Sequence, residues 1–141
     1  MPEHHLPTLL CYTYRSVKLK INKALAPAKI TLEQFTMLDT IHKNPDLLVG
    51  ELCALLHIDR TTFPRNMRRL LNLNWVQQLA GHDSRSKMFA LTPKGIKKLN
   101  QATAIIEGVV ANISVTLGTP AYQNSCNLLA ECLVWATVDK R

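Results

Sequence analysis

Apolar side chains return every three or four residues near the start of the chain. Leu6, Leu9, Leu10, Tyr14, Val17, Ile21 and Leu25 fall on one stripe, which predicts an amphipathic helix over Leu6–Leu25 that Pro27 ends. A second helix opens at Thr31-Leu32-Glu33-Gln34, a capping box in which Thr31 and Gln34 satisfy each other's amides. It is expected to bury Phe35, Leu38 and Ile41 and to stop at Asn44-Pro45-Asp46. A short helix over Val49–Leu56, a turn at His57-Ile58-Asp59-Arg60 and a fourth helix over about residues 61–73 follow.

The pattern then shortens. Residues 75–79 and 87–91 suit two strands, joined by Ala80-Gly81-His82-Asp83-Ser84-Arg85-Ser86, whose glycine and polar cluster supply hairpin turn chemistry. Thr92-Pro93 is an N-cap followed by a proline at the first helical position, so a long helix runs from there to about Leu117. Its middle, 104–115, is rich in Ile and Val and would also suit a strand. Thr119-Pro120 repeats the start signal for a last helix striped by Tyr122, Cys126, Leu129, Leu133 and Ala136. The expected class is mainly α with a small β-hairpin.

Composition bounds the partners. A chain of 141 residues, 47% hydrophobic and 19% charged, folds around a core without staples. No apolar run reaches the roughly 18 residues that span a bilayer, and the N-terminus lacks the order of a secretory signal. Four cysteines at these spacings make neither a disulfide framework nor a zinc knuckle, so a reducing, cytoplasmic home is expected. The formal charge of +7 is confined. Arg60, Arg65, Arg68, Arg69, Arg85, Lys87, Lys94, Lys97 and Lys98 face only Asp59 and Asp83 between His57 and Lys98, and the rest of the chain is neutral. Confinement of this kind is the footprint of a polyanion-binding surface.

Two short helices, a turn and a hairpin are the layout of a winged helix-turn-helix. On the fourth helix Phe63, Met67, Leu70 and Leu71 recur at core spacing, which turns Thr61, Thr62, Arg65, Arg68, Arg69 and Asn72 outward. Arginine bonds guanine bidentately and asparagine bonds adenine, so this face suits the major groove of duplex DNA. Arg85 at the hairpin tip suits a narrow minor groove. Arg60, in the turn before the fourth helix, is also expected to contact DNA, and Lys87, Lys94, Lys97 and Lys98 are expected on phosphates.

These motifs resemble the MarR family of bacterial regulators. The resemblance rests on Ile30-Thr31-Leu32-Glu33-Gln34, Gly50-Glu51-Leu52-Cys53, and the run from Ile58 to Arg65. It continues through His82-Asp83-Ser84-Arg85-Ser86 and Leu91-Thr92-Pro93-Lys94-Gly95. It implies a single domain: residues 30–98 form the DNA-binding lobe, while residues 5–25 and 99–141 pair two chains into a homodimer on a pseudo-palindromic operator. It also implies that Asp83 braces Arg85 in the minor groove and that a small ligand or an oxidant ends repression. Pro64 replaces a common threonine, and Asn74 replaces the usual glycine between helix and wing.

Two kinds of signal stay open. Leu10-Cys11-Tyr12-Thr13-Tyr14 resembles the peroxidatic cysteine position of the OhrR-type, organic-peroxide-sensing branch, with Arg15 and Lys18 on the same side of the helix and Cys126 or Cys132 as resolving thiols. Leu25 stands where that branch places a second tyrosine. The bland alternative is that these cysteines are inert core residues. Alternatively, Arg15, Tyr12, Tyr14, His42 and Trp75 are residue types that could line a cleft for a small aromatic ligand. The sequence holds no Gly-rich phosphate loop, nucleophile elbow or His-Glu-x-x-His helix, so no catalytic residue, cofactor or metal is expected. A nucleic-acid-binding scaffold without a dedicated operator is the rival role.

Overall fold

Leu25, Leu38, Leu52 and Leu70 are the largest fully buried side chains, and each comes from a different helix. The computed structural model describes residues 5–80 and 87–138. In chain order it has α1 (Leu6–Leu25), a 3-10 turn (Ala26–Ala28), α2 (Leu32–Lys43), α3 (Val49–Leu56) and α4 (Phe63–Asn72). Strands β1 (Val76–Ala80) and β2 (Lys87–Leu91) come next, then α5 (Pro93–Leu117) and α6 (Thr119–Val138). The strands pair antiparallel, with Val76 opposite Leu91 and Ala80 opposite Lys87. The class is mainly α with one hairpin, as the hydrophobic pattern predicts.

Local chemistry sets the boundaries. Pro27 lies in the 3-10 turn that ends α1, and Lys29 closes that turn in a left-handed conformation with φ 55°. The capping box of α2 forms: the Thr31 amide donates to Gln34 Oε1 at 3.0 Å and the Gln34 amide to Thr31 Oγ1 at 3.2 Å. The buried stripe of α2 is Met37, Leu38 and Ile41, and Phe35 is only half-buried. At 3.6 residues per turn, Phe35 falls roughly 110° from the centre of that stripe, which is why it leaves the core.

Three element starts differ from the expected ones. The Asp59 carbonyl accepts the amides of both Thr62 and Phe63, so Thr61 and Thr62 form a turn and α4 begins at Phe63. Pro64 is then the second helical residue, where a missing N–H leaves no bond unmade. The Trp75 amide donates to Leu70 and its carbonyl accepts from Thr92, so β1 begins at Val76. Gly118, with φ +83°, turns the chain before α6 and accepts the Tyr122 amide. Thr119 is therefore the first helical residue and not the cap. The stretch 104–115 lies wholly within helix α5, which excludes the strand alternative.

The lobe is welded where α4, the hairpin and α5 meet. Asn74 takes a left-handed conformation, φ 58°, and the Asn74 and Trp75 amides bond to Leu71 and Leu70, a Schellman ending for α4. Thr92 donates its hydroxyl to the Asn74 carbonyl at 2.6 Å and accepts the Gly95 amide at 3.0 Å. Gly95 lies against the Trp75 backbone: a β-carbon there would overlap the Trp75 carbonyl oxygen and sit 2.8 Å from its carbon. That contact explains the Leu-Thr-x-x-Gly spacing. Phe63 packs on Phe89 of β2 with ring centroids 6.1 Å apart, a tilted pair that contributes about 0.5–1.5 kcal/mol beyond burial.

By contacts the chain divides into two units, Met1–Ile105 and Ile106–Arg141. The first holds the winged lobe with α1. In the second, α6 has no buried residue among those described, and it exposes Leu128, Leu129, Leu133, Val134 and Trp135. Among the described residues no single helix is long and apolar enough to cross a membrane.

Candidate nucleic-acid interface

Helix α4 carries most of the candidate chemistry, and its core face fixes where each side chain points. Phe63, Met67 and Leu70 are buried, whereas Leu71 is half-buried. Successive helical residues step about 100° around the axis, so Arg65, Arg68 and Asn72 fall opposite the buried face. All three are exposed, as is Thr61 in the turn before. Thr62 is half-buried. Two guanidiniums and a carboxamide thus share one outward stripe.

Arg69 and Asn66 turn elsewhere. They line a cleft of about 200 Å³ whose other wall is Thr31, Glu33, Gln34 and Met37 of α2 and its cap. Sequence reasoning groups Arg69 with the outward face and omits Asn66, Thr31 and Gln34. At about 100° per residue Arg69 falls only about 40° from Arg65, so spacing alone does not separate it from the outward stripe, and no sequence signal identifies the facing wall.

Among the described residues Glu33 is the only carboxylate lining that cleft, and α1 holds it. Lys18 pairs with its Oε1 at 2.5 Å, and the Tyr14 hydroxyl donates to the same oxygen at 3.3 Å. Partial burial pushes the Glu33 carboxyl up, but Lys18, the residue's own amide and Tyr14 outweigh it and hold it below its ordinary value. The Lys18 ammonium is raised, chiefly by its hydrogen bond to Glu33. Lys18 is therefore engaged by α2, although the sequence suggests it as an activator of Cys11.

Arg60 lies against α3. A β-carbon on Gly50 would come within 2.7 Å of its guanidinium, so the glycine leaves room for it. Burial raises the Cys53 thiol above its usual range, and the Arg60 charge offsets only part of that rise. Cys53 is a small core residue. Lys87, Lys94 and Lys97 are exposed on β2 and the first turns of α5. Lys98, expected on a phosphate, instead donates to the Ala28 carbonyl at 2.6 Å and sits 5.5 Å from the centre of the Trp75 ring. Asp83 and Arg85, the wing brace and the minor-groove cation of the sequence reading, lie outside the described residues.

Of the other candidates, Cys11 and Cys126 are exposed and Cys132 is half-buried. Trp75 is buried, with 3% exposure, so it does not line an open ligand cleft with Tyr12, Tyr14, Arg15 and His42. No group of three or more His, Cys, Asp or Glu able to hold a metal occurs among the described residues.

A helix-turn-helix whose second helix turns basic groups outward, followed by a hairpin packed on that helix, defines the winged helix-turn-helix class. Residues 28–86 match the model of the MarR family. The chain is 27% identical over 97 residues to an uncharacterised HTH-type transcriptional regulator, YwoH, of Bacillus subtilis; the match covers 69% of this chain and 71% of that protein. It also superposes on the Mycobacterium tuberculosis transcriptional regulator MosR in complex with DNA, with TM-score 0.77 and 28% identity, covering 92% of this chain and 98% of that one. A cysteine-to-serine mutant of MarR from Escherichia coli, complexed with operator DNA, shares the fold with TM-score 0.83 and 24% identity, covering 91% and 93% of the two chains. Residues 28–86 thus carry a winged helix-turn-helix of the MarR type, and the chain shares its fold with transcriptional regulators solved on DNA.

Proposed function

We propose that this chain binds a pseudo-palindromic duplex operator as a homodimer and represses transcription until a small molecule or an oxidant weakens its grip. One observation carries the DNA reading: Arg65, Arg68 and Asn72 share an exposed stripe opposite the buried Phe63, Met67 and Leu70. Rigid packing of that core face gives the outward side chains a fixed origin from which to meet base edges. Thr61 and Thr62, at the entry to α4, are spaced for backbone contacts, with Lys87, Lys94 and Lys97 for more distant phosphates. Arg60 reaches the duplex from its seat on Gly50. Arg85 enters the minor groove with Asp83 as its brace, by resemblance to the family.

The homodimer is supported by the apolar faces left open in a single chain. Leu128, Leu129, Leu133, Val134 and Trp135 of α6 are between 47% and 78% exposed, a set of large apolar side chains that a partner could cover. Two lobes then meet half-sites about one helical turn apart. Footprinting DNA upstream of the gene tests this. Protection of two related half-sites, with two chains bound per site, is the expected result; uniform protection of any duplex would leave only a non-specific binder.

A thiol signal is supported by the exposure of Cys11 and Cys126. In that case an organic hydroperoxide releases the operator from the wild type and not from Cys11→Ser. An equal response of both proteins would transfer the signal to a small ligand.

A further inference from the structure

The cleft between α2 and α4 is a second place where the lobe meets charge. We propose that it seats one phosphodiester of the bound duplex, held by Arg69 and Asn66, and that Lys18 of α1 makes the seat usable by neutralising Glu33. The proposal rests on the DNA-binding reading above and adds a site to it.

The donor set fits a phosphate. Arg69 offers up to five N–H groups and Asn66 two, and both line the cleft from α4. On the α2 wall Gln34 commits its Oε1 to the Thr31 amide, which leaves its NH2 to donate. The Thr31 oxygen accepts the Gln34 amide and keeps its own hydroxyl proton. A volume of about 200 Å³ holds more than one water, whose share of the liquid is about 30 Å³.

The attraction does not come from the end of α2. Thr31 and Gln34 spend their amides on the capping box, and the Leu32 amide donates to Asn22 Oδ1 at 2.8 Å. Side chains must therefore supply it, and one of them opposes it. Glu33 brings a carboxylate to the same cavity, where a bare charge would repel the phosphate that Arg69 attracts. Lys18 and Tyr14 cover that carboxylate from α1. Lys18 is thus a positioning residue: it acts on the phosphate through Glu33.

A two-background comparison tests this on the full chain and its operator at fixed salt. Lys18→Met keeps the apolar stem and removes the charge. With Glu33 present, it weakens binding by about 3–5-fold on operator and scrambled duplex alike, because phosphate contacts carry no sequence. With Glu33→Gln, the same change costs less than about 1.5-fold, because no carboxylate remains to be covered. Equal losses in both backgrounds would overturn the proposal and make Lys18 a direct DNA contact or a purely structural residue. No loss in either would overturn it as well, showing that the Glu33 charge does not reach bound DNA. Arg69→Gln adds a second readout, a salt dependence shallower by about one phosphate contact; an unchanged slope contradicts the seat. If the wild type itself prefers no operator, the DNA reading fails first and the seat with it.

Discussion

Thr92 donates its hydroxyl to the carbonyl of Asn74, across 2.6 Å and eighteen residues of sequence. Asn74 is the left-handed residue that ends α4, and Thr92 caps α5, so one bond fixes the helix, the hairpin and α5 to each other. The direction in which α4 presents its arginines depends on that joint.

Disturbing the joint should cost stability before it costs contacts. Gly95→Ala forces a methyl group into the Trp75 carbonyl and is expected to destabilise the fold by about 1–3 kcal/mol. Thr92→Ala loses a cap and a second hydrogen bond, for about 1–2 kcal/mol. Urea unfolding measures both; midpoints equal to the wild type would mean that the joint does not hold the lobe together.

Arg68 and Lys97 should fail differently. Arg68→Ala is expected to relax sequence preference by about 1–3 kcal/mol while leaving affinity for scrambled duplex nearly intact. Lys97→Ala should weaken every duplex alike and make the salt dependence shallower by about one contact. Titrations on both duplexes at several salt concentrations separate the two patterns, and a uniform loss for Arg68→Ala would reassign it to a phosphate.

Much of this fold is legible in the sequence. The Thr31–Gln34 box, the proline punctuation and the return of Phe63, Met67 and Leu70 are local signals, and local chemistry sets element boundaries to within a residue or two. What stays hidden is long-range. Lys98 reads as one more surface cation in a basic run, yet its ammonium is taken by the Ala28 carbonyl, seventy residues away in sequence. The α2 wall of the Arg69 cleft and the pairing of Lys18 with Glu33 likewise depend on which helices become neighbours. Spacing along a single helix cannot report that.

Lys98 therefore makes its own prediction. Lys98→Ala removes a charge-assisted bond and the cation over Trp75, and it should lower stability by about 1–2 kcal/mol without changing the salt dependence of DNA binding. A shallower salt slope at unchanged stability would return it to the phosphate-contacting group.

The Lys18–Glu33 pair gives a pH dependence with a definite sign. Glu33 is depressed from an ordinary value of 4.5, so its contribution is present above that pH and is lost as acid protonates it through its lower folded value. Lys18 is raised from 10.5, so its share is complete below that pH and is lost in alkali beyond it. Tyr14 and Arg69 are the other titratable or charged groups facing Glu33 among the described residues. The stability gap between wild type and Glu33→Gln should be flat from about pH 6 to 9 and should shrink below about pH 4.5. A gap that widens in acid would contradict the pairing.

The central claim is sequence-specific duplex binding through the outward face of α4. Its most direct test is a titration of the reduced protein onto duplex from upstream of its gene and onto scrambled duplex, at one salt concentration. A gap of at least about a thousandfold in affinity is the predicted result. Equal affinity for both duplexes would contradict it, leaving a basic winged helix that holds nucleic acid without reading it.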